Sequence, residues 1–219
     1  MANEDATKAV NSYITDMLAL EKHIQKALAG QIEDLDEEDP GFVAEIQRIN
    51  ASVDRHITTL EAMAERRQDG GQKLSDAVKR AASNVLGAGA AAVDFVRSEK
   101  LPKNLRDDYT ALSLASIGYV MLYTTATSLG DSEVADVARR HLEEHAQNTT
   151  RLHAIIPAAV IRFLQRDGLP ARSDDLAQIE RTVASVWEGE PGVSTDDQSL
   201  RRPATADTHW QRGSDAELR

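Results

Sequence analysis

The chain of 219 residues has no cysteine, which excludes disulfides, zinc–thiolate sites, iron–sulfur clusters and cysteine nucleophiles together. Aromatic residues make up only 4%, too few for a platform on which single-stranded nucleic acid would stack. Positive charge is also scarce. With 25 Lys and Arg against 36 Asp and Glu the formal net charge is −11, which argues against a phosphate-binding surface and hence a nucleic-acid partner. Arg201 and Arg202 relieve that balance only locally, near the C-terminus. No apolar run approaches the ~20 residues of a membrane span. Met1 to Asp5 is polar and acidic, unlike a secretory signal with its basic start and apolar stretch. A cytoplasmic chain without a membrane partner is therefore expected. Neither a Gly-x-Ser-x-Gly elbow nor a His-Glu-x-x-His motif is present, which disfavours the common hydrolases.

What the sequence does contain is helical periodicity. Val10, Ile14, Met17, Leu18, Ile24, Leu28 and Ile32 recur at the 3.6-residue period and predict a first helix over about 6–35. The acidic run 33–39 lacks the alternating Asp pattern of a calcium loop and reads as a solvated connection. Asp39 then Pro40 is a helix start, with Pro at the first helical position. The second helix carries Phe42, Ile46, Ile49, Val53, Ile57 and Leu60 and stops at Asp69-Gly70-Gly71. Residues 72–98 are rich in small side chains and predict a short, closely packed crossover helix. Gly87-Ala88-Gly89 lacks the Gly-Lys-Ser/Thr ending of a phosphate loop, and no strand precedes it. After a connection at Pro102, a third helix is expected over about 104–129 and a fourth from Asp131 or Ser132 to Asp167, kinked or broken at Pro157.

Two-residue alternation is absent throughout. The expected fold is all-α: a ferritin-like four-helix bundle over 6–167 with a crossover helix, an extra C-terminal helix over 172–188, and a flexible polar tail over 189–219. In the C-terminal helix Leu176, Ile179, Val183 and Val186 fall in register, and Trp210 in the tail could anchor an unknown protein partner.

Several ionisable residues interrupt the apolar stripes. Glu21 lies among Met17, Leu18, Ile24 and Leu28; His56 lies beside Val53, Ile57 and Leu60. On the fourth helix His141, His145 and Asn148 share the stripe of Val134, Val137, Leu152 and Ala159, with Glu144 at its edge. His153 falls off the stripe and is expected to face solvent, whereas Tyr119 and Tyr123 are expected to face the core. A carboxylate or imidazole inside a bundle is costly unless paired or metal-bound. Glu21, His56, His141, Glu144 and His145 are therefore the candidate metal ligands; the other reading of the same residues is a metal-free polar network.

Three segments carry a resemblance. Leu18-Ala-Leu-Glu21-Lys22, His56-Ile-Thr-Thr-Leu60-Glu61, and the stretch from Tyr119 through Leu129-Gly130-Asp131 and His141-Leu-Glu143-Glu144 to Leu152 resemble the ferritin-like YciF (DUF892) family over roughly residues 8–166. The resemblance implies a bundle with a crossover helix, a dimer, and a link to bacterial stress responses. Di-iron sites of ferritin-like proteins take a Glu from each of two helices and a Glu-x-x-His from each of the other two. This chain departs from that pattern. It has no Glu-x-x-His; Val53 stands three before His56 and Gln147 three after Glu144; and Thr110 to Leu129 contains no Asp or Glu. A complete ferroxidase centre is therefore not expected. A degenerate or mononuclear site for Fe, Mn or Zn is, with mixed imidazole and carboxylate ligation. The alternatives are a metal-free scaffold that self-associates, its polar groups fixing helix register, and, less favoured, a hemerythrin-like oxygen binder. The last wants His-x-x-x-Glu, whereas His56 and Glu61 are five apart.

Overall fold

The computed structural model describes residues 2–34, 40–67 and 100–188. Within these, four long helices carry the architecture: α1 (Ala2–Asp34), α2 (Pro40–Arg66), α3 (Lys100–Ser128) and α4 (Ser132–Arg166). No strand occurs among the described residues. None of their helices is long and apolar enough to cross a membrane. The chain divides into two compact units, Met1–Glu180 and Arg181–Arg219. The bundle lies in the first; a 3-10 turn at Ser173–Asp175 leads into α5 (Leu176–Glu188), which crosses the boundary. The predicted crossover helix, the tail and Trp210 lie outside the described residues.

Local chemistry sets the helix ends. Pro40 opens α2, where its missing N–H is one of the unpaired donors in any case. Between α3 and α4, Gly130 takes a left-handed φ of 77°. The Asp131 N–H reaches back to the Ala126 carbonyl at 2.8 Å and the Gly130 N–H to that of Thr127 at 3.2 Å, closing a Schellman motif. The Asp131 carboxylate then accepts from the Val134 N–H at 3.3 Å and caps α4. Two proline expectations need correction. Pro102 lies inside the first turn of α3, where no intrahelical N–H is required, so that helix begins earlier than predicted, at Lys100. Pro157 neither ends nor splits α4, which runs unbroken to Arg166; one lost hydrogen bond is outweighed by the packing of the Leu152–Ala159 turns on the core.

Polar contacts between helices give the topology. Arg67 bonds Asn11 and Lys22 pairs with Glu61, so α1 and α2 are antiparallel. Gln31 bonds Asp108 and Tyr119 bonds Glu21, so α1 and α3 are antiparallel too. Arg66 pairs with Glu133 and Arg48 bonds Asn148, which sets α2 antiparallel to α4. The helices thus stand in the order α1, α2, α4, α3 around a square, with α1 and α4 on one diagonal and the parallel pair α2 and α3 on the other.

The core is aliphatic and closed, with Leu18, Ile46, Ile49, Val53, Leu60, Leu112, Leu122 and Leu152 fully buried. Gly118 lets α1 and α3 approach closely: a Cβ there would come within 2.5 Å of the Met17 sulfur. That contact sits beside Tyr119 and one turn before Glu21. The outer face of α3 differs from expectation. Leu114, Ile117, Val120, Met121 and Tyr123 are exposed there, so Tyr123 faces outward rather than into the core. An apolar helix without a polar face gives periodicity no way to choose its buried side. In α5, Ile179 and Val186 of the predicted stripe are likewise exposed.

Candidate metal centre

The apolar stripes of α1, α2 and α4 carry Glu21, His56 and His145 to the same height of the bundle, where all three are essentially inaccessible to solvent. Glu21 Oε1 accepts three hydrogen bonds: from Tyr119 Oη at 2.6 Å, from His145 Nε2 at 2.7 Å and from His56 Nδ1 at 3.1 Å. A carboxylate only accepts, so the bonded ring nitrogens carry the protons. The phenol's single proton goes to Glu21, and His141 Nδ1, 3.0 Å from Tyr119 Oη, must donate to that oxygen in turn. His141 also stacks on His56, with ring centroids 4.0 Å apart.

Electrostatics follow from the burial. Desolvation alone would raise the Glu21 carboxyl, but the hydrogen bonds and charges of His145 and His56 outweigh it and hold the group down at about 2. Burial, together with the Glu21 charge, pushes the Tyr119 phenol well above its usual 10. Burial, aided by the neighbouring His56, drops His141 to about 3 and keeps it neutral.

Three polar atoms of the cluster have no hydrogen-bond partner: Glu21 Oε2, His56 Nε2 and His145 Nδ1. Burying such atoms unpaired is unfavourable, and native proteins do so rarely outside functional sites. One ligand atom from each of Glu21, His56 and His145 lies within 4.8 Å of the others, so the group could hold a metal ion. Donor atoms around a tetrahedral ion with ~2.1 Å bonds stand ~3.4 Å apart. The observed separations of 2.7 and 3.1 Å are hydrogen-bond distances, shorter than that, so an ion bound there would replace the shared protons and spread the donors by a few tenths of an ångström.

Of the five predicted ligands, the structure gathers Glu21, His56 and His145. His141 is displaced by one layer, bonded to Tyr119 rather than facing Glu21. Glu144 sits at the rim, 39% exposed, with Oε2 3.4 Å from His56 Nε2 and 3.0 Å from the Arg55 guanidinium. Asn148 is buried as expected and donates to Ser52 at 2.9 Å. His153 is half-buried near the Tyr109 ring rather than solvent-facing. The sequence reading missed Ser52, Arg55 and Asp108. Asp108 is buried, accepts from Gln31 at 2.7 Å, and is pushed up by desolvation to about 7. Its position was legible, since it shares a helical row with Leu105, Leu112 and Ala115.

Fold and site together define an all-α helical bundle enclosing a Glu–His–His cluster able to hold a metal ion. No family model matches the chain, nor does any curated protein. Among solved structures it is similar to a crystal structure of a protein from Xanthomonas campestris pv. campestris, with a TM-score of 0.60 and 18% identity over 75% of this chain and 99% of that one. At that identity the likeness concerns the fold alone.

Proposed function

We propose that this bundle binds a single divalent transition-metal ion through Glu21, His56 and His145. The observation that carries the reading is the convergence of one carboxylate and two imidazoles from three helices in a dry interior, with one further lone-pair atom on each residue left unpartnered. Two imidazoles and a carboxylate suit Zn, Fe or Mn. Two metals are disfavoured because the positions facing the cluster from α3 are Leu112, Ala115, Tyr119 and Leu122, none of which supplies a second anionic ligand. Helices α2 and α3 run parallel, as the helices flanking the crossover of a ferritin-like bundle do. With it we propose the YciF-like association with stress and a dimer, for which the uncharged, exposed face of α3 is support. Elemental analysis of gently purified protein tests the reading: about one metal per chain supports it, and none, with no thermal stabilisation by added Zn, Fe or Mn, refutes it.

A second reading has its own observation. Glu21 Oε1 is fully satisfied by three donors without any ion, so the cluster could act as a metal-free polar key fixing the register of four helices. Under that reading Glu21→Gln lowers stability equally with and without chelator.

A further inference from the structure

Among the described residues, the side chains in polar or ring contact with Glu21, His56 and His145 are Tyr119, His141 and Glu144, and of these Glu144 alone is not buried. Tyr119 is fully enclosed and His141 is 5% exposed, whereas the Glu144 side chain is 39% exposed. Glu144 also touches the cluster at a telling atom: its Oε2 lies 3.4 Å from His56 Nε2, a buried ring nitrogen without a hydrogen-bond partner. From the solvent side the same oxygen is held at 3.0 Å by Arg55, whose side chain is 63% exposed.

The surrounding α2–α4 seam is polar over much of its length, through Arg48–Asn148, Ser52–Asn148, Arg55–Glu144 and Arg66–Glu133. One turn beyond His56 the seam opens into a surface cavity of about 340 Å³, with Thr59 and Arg66 on one wall and Glu133, Asp136 and Arg140 on the other. Polar side chains between two helices leave hydration and small separations accessible that an interdigitated aliphatic seam does not.

Resting on the metal reading above, we propose that Glu144 is the entry ligand of the centre: it takes a hydrated divalent cation at the α2–α4 seam and passes it to His56, Glu21 and His145, and Arg55 holds it closed in the empty state. A cation crossing from water to a dry site loses its hydration shell in stages, and a rim carboxylate supplies a replacement oxygen before the imidazoles do. The Arg55 guanidinium competes for that carboxylate, so breaking the Arg55–Glu144 pair is the step that admits the ion. Glu144 is a transfer ligand here, governing how fast metal arrives and leaves rather than how tightly it is held.

The test is the rate at which the metal-free full-length chain takes up Co(II), followed by visible absorption, with release measured against excess chelator. Glu144→Gln should slow loading and release each by about tenfold while Kd changes by less than about threefold. Glu144→Asp should recover part of the rate, and Arg55→Gln should accelerate loading. Glu143→Gln removes the same charge one residue away, from a side chain paired outward with Arg139, and should load at the wild-type rate. Loading of Glu144→Gln at the wild-type rate overturns the proposal. So does equal slowing in Glu143→Gln, which would make the effect one of general charge, or a Kd raised more than tenfold by unchanged entry and faster release, which would make Glu144 a resident ligand. A wild-type chain that takes up no Co(II) refutes the metal reading itself, and this one with it.

Discussion

Glu21 Oε1 lies 2.7 Å from His145 Nε2 although the two residues belong to helices on opposite corners of the bundle. The carboxylate spans the middle of the core and ties α1 to α4 directly, and to α2 and α3 through His56 and Tyr119. A single side chain thereby links all four helices.

Glu21→Gln keeps the shape and removes the anion. Charge-assisted hydrogen bonds are roughly twice as strong as neutral ones, and breaking a buried ionic network commonly costs about 3–5 kcal/mol. The expected result is a melting temperature lower by ~10 °C for the metal-free protein at pH 7. Thermal unfolding followed by circular dichroism checks this; a loss under 2 °C would mean that the convergence on Oε1 contributes nothing.

Tyr119→Phe removes the donor to Glu21 and leaves His141 Nδ1 without its acceptor, an expected cost of about 1–3 kcal/mol. In the wild type the phenol is held well above its usual range by burial. Alkaline titration at 295 nm should therefore show no difference between wild type and Tyr119→Phe up to pH 11 while both remain folded. A phenolate signal that is lost in the variant would contradict the enclosed geometry.

Asp108 and His141 predict opposite pH dependences. Asp108 ionises at about 7 in the fold against 3.8 as a reference, so the native state holds a proton that the unfolded chain has lost. That stability is complete below pH ~4 and falls by about 1.4 kcal/mol per pH unit as pH rises towards 7. His141 is at about 3 in the fold against 6.5, so its contribution is complete above pH 6.5 and is lost as pH falls towards 3. The two slopes oppose each other between about pH 4 and 6.5. Asp108→Asn should raise the melting temperature at pH 8 but not at pH 4, and should expose a steeper loss on acidification. Urea unfolding across pH 4–8 measures both; parallel curves for variant and wild type would refute the assignment.

Much of the site was legible because charged residues that interrupt an apolar stripe must fold inward with it. Glu21 and His145 each occupy the centre of a stripe, and the helical period alone put them in the core. The same rule failed on α3. Its apolar residues surround the helix, so Tyr119 and Tyr123 looked equivalent in sequence, yet one is enclosed and the other faces out. Asp108 was readable from its row but was hidden by the adjacent Asp107 and Arg106, which suggest a solvated turn. Arg55 could not be found by burial, since its part depends on the partner it meets across a seam rather than on its own environment. Pro157 shows the converse for the break alone: α4 runs through it to Arg166, with packed turns on either side.

The central claim is that three helices offer one enclosed set of metal ligands. Metal-free protein titrated with Co(II) tests it most directly, read by visible absorption for wild type and for Glu21→Gln, His56→Ala and His145→Ala. The account predicts saturation at about one equivalent with intense bands of low coordination number, and loss of those bands in each variant. Absence of any absorption change in the wild type, or identical spectra in all four proteins, would contradict it.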